Sequence, residues 1–301
     1  RDRLEGVGRL DVLTAVNRQA LGYYEGQDLD RLPAGSLERR ARVLHAMGED
    51  DQRRGDLDAA LAKFQEARRT TAALLDARPD DPPRIFAHAQ SEYWVGYVDY
   101  LRGRKDGARE PLAAYKALAT RLAAAEPRNA IYVREAAYAE GNQCGLALLE
   151  PVEPAAALRA CSRALELMRT AASLPGAPRD MAQDLANRHG WLAEAYRINK
   201  DNGAAMEHRL AEEKILSRLI AADPQDMALR ERWVALQRAV SGLEFYAGRS
   251  DQAQARLATA AQTLDAMIAF DPTNEDWRKQ RARLDVAATF IRDNPQSRGR
   301  P

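Results

Sequence analysis

The sequence is short of several things, and each shortage closes off a class of protein. Two cysteines in 301 residues are too few for a disulfide-stapled scaffold. No run approaches the roughly 18 consecutive apolar residues of a membrane span, and mean hydropathy is −0.53. A surplus of one charge is missing too: Lys+Arg number 45 and Asp+Glu 44, a net of +1, whereas a nucleic-acid binder needs an excess of Lys and Arg on one face. The four histidines, His45, His88, His189 and His208, include no pair at helical four-residue spacing and none beside a cysteine. A metal site is therefore not expected, and they read as surface or groove histidines. The phosphate-binding, serine-elbow and zinc-helix motifs are absent. The acidic residues follow solvated helix faces, so no pair stands out as acid and base. The chain is expected to be non-catalytic and to carry no cofactor.

What is present is a beat. Pro79, Pro127, Pro175, Pro224 and Pro272 lie 48, 48, 49 and 48 residues apart, and Ala60, Ala108, Ala157, Ala205 and Ala253 lie 48, 49, 48 and 48 apart. Two markers keeping one stride over five copies signal a stacked-repeat architecture. Each period holds two helices. Ser36 to Arg54 carries Leu37, Val43, Leu44 and Met47 at helical spacing. Gly55-Asp56 then breaks and restarts the chain, with Asp56 expected to cap the next helix. Leu57 to Arg78 follows and stops at Pro79. The same grammar recurs at Gly103 with Asp106 and at Gly248 with Ser250 or Asp251. Repeat three replaces the turn glycine with Glu150-Pro151-Val152-Glu153-Pro154, and repeat four with Asn199-Lys200-Asp201-Asn202-Gly203; both still read as turns. Pro111 predicts a late start or a kink in its helix. Ala, Leu, Arg, Glu and Gln dominate, and strand-like alternation is absent. The fold class is all-α.

Within each unit the residues resemble the tetratricopeptide repeat. Repeat one has Leu44, Gly48, Gly55, Ala60, Phe64 and Ala67; repeat two Gly96, Gly103, Ala108, Leu112 and Tyr115; repeat three Cys144, Gly145, Ala157, Cys161 and Ala164; repeat four Leu192, Ala193, Tyr196, Ala205 and Glu212; repeat five Val240, Ser241, Gly248, Ala253, Leu257 and Ala260. A small residue where two helices cross lets the backbones approach, and a larger one fills the adjoining gap. The usual unit has about 34 residues; this one has about 48, with both helices lengthened. The resemblance implies an α-solenoid of stacked antiparallel helix pairs: a half unit, five pairs and a half unit, about 12 helices in a curved right-handed superhelix. The expected divisions are 1–35 (a capping helix, Val7 to Glu25, and a linker), repeats at 36–80, 81–127, 128–175, 176–224 and 225–272, a capping helix at 273–293, and a disordered tail at 294–301.

In such arrays the first helix of each pair lines the concave face. That implies a partner-binding surface of Arg42, His45, Glu49, Gln52 and Arg53 in repeat one, and of Gln90, Tyr93, Tyr97 and Tyr100 in repeat two. Repeats three and four add Asn142, Leu149, Asn187, Glu194 and Arg197, and repeat five Arg238, Phe245 and Tyr246. Tyr93, Trp94, Tyr97 and Tyr100 gather on one helix of a chain that is only 6% aromatic, and Tyr and Arg are residue types that anchor interfaces. Packing between units is the competing role for Trp94 and the tyrosines. The Lys/Asn clamp of chaperone-binding members is lacking. The basic pairs Arg39-Arg40 and Arg68-Arg69 read as solvated faces. Cys144 and Cys161 occupy core-facing positions and are expected to be buried, reduced thiols; a structural disulfide would imply export.

The chain opens Arg1-Asp2-Arg3 with neither methionine nor signal core, so it reads as a piece of a longer protein. Its opening segment, Arg1 to Val16, resembles the lead into long-unit arrays at the C-terminal end of bacterial multidomain regulators. That implies an N-terminal effector domain in cis. The expected function is a protein- or peptide-binding scaffold, or sensor, in the cytoplasm. Oligomerisation of the parent protein and small-ligand sensing are the alternatives.

Overall fold

A computed structural model describes residues 17–294 apart from 18, 25 and 179. The described residues form eleven α-helices and one turn of 3-10 helix, Leu29–Arg31, without a strand. Most of the leading helix expected at Val7 to Glu25 lies outside the described residues, although 17 and 19–22 are helical. The tail beyond Asn294 lies outside them as well.

The chain divides into two compact units, Arg1–Glu153 and Pro154–Pro301. The first holds α1 (Ala34–Arg53), α2 (Leu57–Ala77), α3 (Pro82–Leu101), α4 (Lys105–Ala125) and α5 (Ala130–Leu148). The second holds α6 (Pro154–Ser173), α7 (Met181–Ile198), α8 (Asn202–Ala222), α9 (Met227–Tyr246), α10 (Ser250–Phe270) and α11 (Glu275–Asp293). Within each unit every helix packs on the one before and the one after it, as stacked helix pairs require. At about 20 residues each, the helices run roughly 30 Å.

Local chemistry explains where the helices begin and end. Each of the five periodic prolines lies in the turn after a helix. Asp56 accepts the Ala59 N–H at 3.1 Å, Asp201 that of Ala204 at 2.9 Å, and Asp226 that of Leu229 at 3.0 Å. Asn129 caps α5 and Asn274 caps α11 in the same way. Two expected caps are not made: Arg104 and Arg249 occupy the capping positions without a side-chain bond, and Asp106, Ser250 and Asp251 fall inside the first turns. Gly55, Gly103 and Gly248 take φ of +81°, +67° and +74°. At the equivalent place in repeat four the left-handed residue is Lys200, with φ +64°, and Gly203 lies within α8. Pro111 is accommodated without a late start: α4 runs from Lys105 through it, and the proline is buried.

The crossings follow the small-residue rule. A Cβ on Gly48 would sit 2.5 Å from the Phe64 ring, and one on Gly96 2.7 Å from Leu112. Ala60, Phe64, Ala67, Ala108 and Leu112 are all buried accordingly. The long turn of repeat three is held by Lys105, itself buried, whose Nζ donates to the carbonyls of Leu149 and Pro151 and pairs with Glu153. In the second unit Arg256 of α10 joins Glu213 of α8 and Glu244 and Gln237 of α9 at 2.8 Å each.

Two sequence expectations are corrected here. Arg40 is buried, not solvated, and its guanidinium reaches across to Glu66 on α2; its position on α1 turns it toward the neighbouring helix. Cys144 and Cys161 are buried as expected, but both are disulfide-bonded and no cysteine is free.

Candidate functional site

In the first unit the inward faces of α1, α3 and α5 share an open cavity of about 690 Å³. Arg42, His45 and Glu49 line it from α1, joined by Gln90 from α3. Arg84 and Phe86 on α3 and Tyr132 at the start of α5 also line it, and sequence reasoning missed all three. Phe86 and Tyr132 lie 6.1 Å apart, ring to ring. Arg84 is buried, donates to the Leu74 carbonyl at 2.8 Å, and lies 3.6 Å from both Glu38 and Asp81. Gln52 and Arg53 stand at the C-terminal end of α1, and Arg53 is 3.6 Å from Glu49.

His45 faces the cavity edge with Nε2 2.8 Å from Ser91 Oγ. Thr71 donates to the same oxygen at 2.9 Å and lies 3.1 Å from His88 Nδ1. Burial lowers the His45 pKa to about 4, so the ring is neutral at pH 7. Ser91 is wholly buried within a helix, so this contact is a packing hydrogen bond rather than an activated hydroxyl. The tyrosines of α3 form a ladder: Tyr93 stacks on Tyr97 at 5.3 Å and Tyr97 on Tyr100 at 6.0 Å. Trp94 stacks on Phe64 of the preceding pair at 5.0 Å, which gives it the packing role. Tyr100 rests 3.3 Å from where a Cβ on Gly145 would be. Asn142 on α5 is half-buried, and its Nδ2 has no hydrogen-bond partner.

In the second unit Asn187 is half-buried on α7, while Glu194 and Arg197 form a two-point ion pair at 2.5 and 2.9 Å. The Arg197 hydrogen bonds hold the Glu194 carboxyl below its usual range. Arg238, Phe245 and Tyr246 share a trough between α9 and α11. Arg238 and Tyr246 are exposed, whereas Phe245 is buried against Phe290 at 5.6 Å.

One pairing escaped the sequence altogether. His189 is buried rather than a surface residue, and its Nδ1 lies 3.0 Å from His208 Nδ1. Tyr196 stacks on His208, and Arg169 approaches His189 Nε2 at 3.5 Å. Burial, then the neighbouring His208 and Arg169, lower His189 to about 4, and burial followed by Arg169 lowers His208 as well. Their 19-residue separation spans two helices, which is why no short-range motif revealed them. No group of three His, Cys, Asp or Glu able to hold a metal is found among the described residues.

No family model matches the chain, and no curated protein matches it. Solved structures do. BtubC from P. vanneervenii superposes with a TM-score of 0.64 at 16% identity, over 86% of this chain and 92% of that one. The apo form of RapI gives 0.53 at 14% identity, over 84% and 83%. The S. pombe nuclear import adaptor Nro1 gives 0.51 at 12%, over 94% of each chain. At such identities the likeness is one of fold. It shows an all-helical repeat fold of stacked antiparallel helix pairs, the fold expected from the crossing glycines and the proline beat.

Proposed function

We propose that the chain is a non-catalytic interaction module that receives a protein or peptide on the first-helix face of its repeats. The observation that carries this reading is the cavity of about 690 Å³, which three consecutive first helices build jointly in the first unit. It combines apolar floor, aromatic wall and both signs of charge, the composition of a peptide-anchoring groove. That Nro1 is described as a nuclear import adaptor fits a scaffold role. The wider context follows the sequence: a sensing or scaffolding array of a bacterial regulator, with an effector domain in cis.

The test is selection of peptides on the purified chain from a random display library. Selected peptides should bind at least about tenfold more weakly to Arg42→Glu and Tyr132→Ala, both on the cavity wall, and equally well to Arg238→Glu in the other unit. Failure to select any peptide, or indifference to both cavity substitutions, overturns the reading.

The compartment pulls in two directions. No described helix is long and apolar enough to cross a membrane, and a cytoplasmic site follows from the expected regulatory context. Disulfide-bonded cysteines, however, persist in oxidising surroundings. Alkylation of the chain in fresh native extract separates the two: two modified cysteines support the cytoplasm, and none supports export.

A further inference from the structure

Between α9 and α11 two adjoining hollows, of about 430 and 600 Å³, share Arg238 and Arg283 on their walls. Together they extend along α9 from Ala228 to Tyr246, about 27 Å at the helical rise. Basic groups outnumber acidic ones in this trough, three arginines to the one carboxylate of Glu231. Arg232, Arg238 and Arg283 line it, and none makes an ion pair with another described residue. The carboxylate of Glu231, on the same wall, is engaged by Gln280 Nε2 at 2.5 Å. Some other guanidinium groups of the unit are matched: Arg256 with Glu213 and Glu244, Arg281 with Asp265 and Asp285, Arg209 with Glu212. The floor is apolar and uncovered, since Tyr246 is 68%, Val286 71% and Phe290 54% exposed. Gly242 leaves open space beside it, with nothing within 4 Å of a would-be Cβ.

We infer that this trough docks an acidic amphipathic helix of a partner protein. Unpaired arginines along a hydrophobic channel of helical length complement a helix with apolar residues on one face and carboxylates beside them. The inference rests on the interaction-module reading but concerns a different unit, so the two can fail separately. A bare polyanion would meet the arginines and leave the aromatic floor exposed. A second copy of a chain with net charge near zero offers no surplus of acid to match them.

The experiment is fluorescence anisotropy of the full chain with a labelled 18-residue peptide, carrying Leu and Phe at helical i, i+3, i+4, i+7 spacing and Glu at the remaining positions. Saturable micromolar binding is expected. It should weaken about tenfold or more in Arg238→Glu/Arg283→Glu and again in Val286→Asp, while Arg69→Glu, exposed on α2, leaves it unchanged. Val286 is exposed, so its substitution keeps the measurement informative if the double variant misfolds. Equal affinity for the Lys-for-Glu peptide, equal affinity for a single-stranded oligothymidine, or absence of binding would each overturn the inference. So would a dimer, seen by sedimentation, that Phe290→Asp dissociates while the peptide fails to bind.

Discussion

The first-helix faces of the two units occupy the same repeat positions and are filled with different balances of paired and open groups. In the first unit the side chains satisfy one another: His45 bonds Ser91, Gln90 donates to Glu135 at 2.8 Å, and the α3 tyrosines stack in a row. In the second, Arg238 occupies the repeat position of His45 and Tyr93 yet has no ion-pair partner among the described residues, and Tyr246 and Phe290 are largely exposed. One face is largely preorganised around its own contacts, and the other presents groups still to be matched. A repeat register thus says where a side chain will stand, while its neighbours decide whether it is free to bind.

The same contrast holds beneath the surface, and substitution of the glycines should expose it most strongly. Gly48→Ala pushes a methyl group into the Phe64 ring, and Gly96→Ala does the same to Leu112. Each should cost about 2–3 kcal/mol in urea unfolding, because overpacked crossings cannot relax without moving a helix. Gly242→Ala, with open space around it, should instead gain about 0.5–1 kcal/mol as a helix-interior glycine is replaced. A neutral Gly48→Ala would mean that the first unit is not tightly crossed after all.

Acid should act on both units through buried histidines. His45 and His189 are lowered from 6.5 to about 4, so the unfolded chain binds protons more readily than the folded one between those values. Their contribution is complete above pH 6.5 and is lost as pH falls toward 4, by up to about 3 kcal/mol for His45 and by less for His189, whose ring is more solvent-screened. His45→Gln should flatten the part of the slope that belongs to the first unit. An unchanged slope in urea titrations from pH 7 to 4.5 would remove His45 from the account.

Lys200→Gly should stabilise the second unit by about 1 kcal/mol, since a side chain held at φ +64° is relieved at the position where three other repeats use glycine. Chemical denaturation is sufficient to see it. The smallest effect belongs to Arg238→Glu, which removes no ion pair and should leave stability within about 0.5 kcal/mol while changing what the trough attracts. A larger loss would place Arg238 in the fold rather than on a binding face.

Much of this was legible before any coordinates. The spaced prolines, the small crossing residues and the absence of strand patterning dictate helix pairs with a stride of about 48 residues. Arg42, His45 and Glu49 do line one cavity, and Arg238, Phe245 and Tyr246 share one trough, because equal repeat offsets lie on equal helix faces. Other features were illegible for identifiable reasons. Phe86 and Tyr132 meet from helices of different repeats, outside any single-unit motif. Arg40 resembles every other basic residue until its neighbour Glu66 is located. The cysteines' offsets predicted burial, but whether two buried sulfurs bond depends on their separation.

By itself, then, the sequence determined the all-helical class, the length of the brick and the places where backbones approach. Those features rest on local causes: proline lacks an N–H, glycine tolerates left-handed φ, and periodic apolar residues need a covered face. Tertiary structure alone decided that His189 meets His208, that Arg84 and Tyr132 complete a cavity, and that Arg238 and Arg283 have no ion pair among the described residues. Such outcomes turn on distances of a few ångströms between side chains of different helices. Hydrogen bonds and ion pairs change steeply over that range, and no spacing along one chain encodes it.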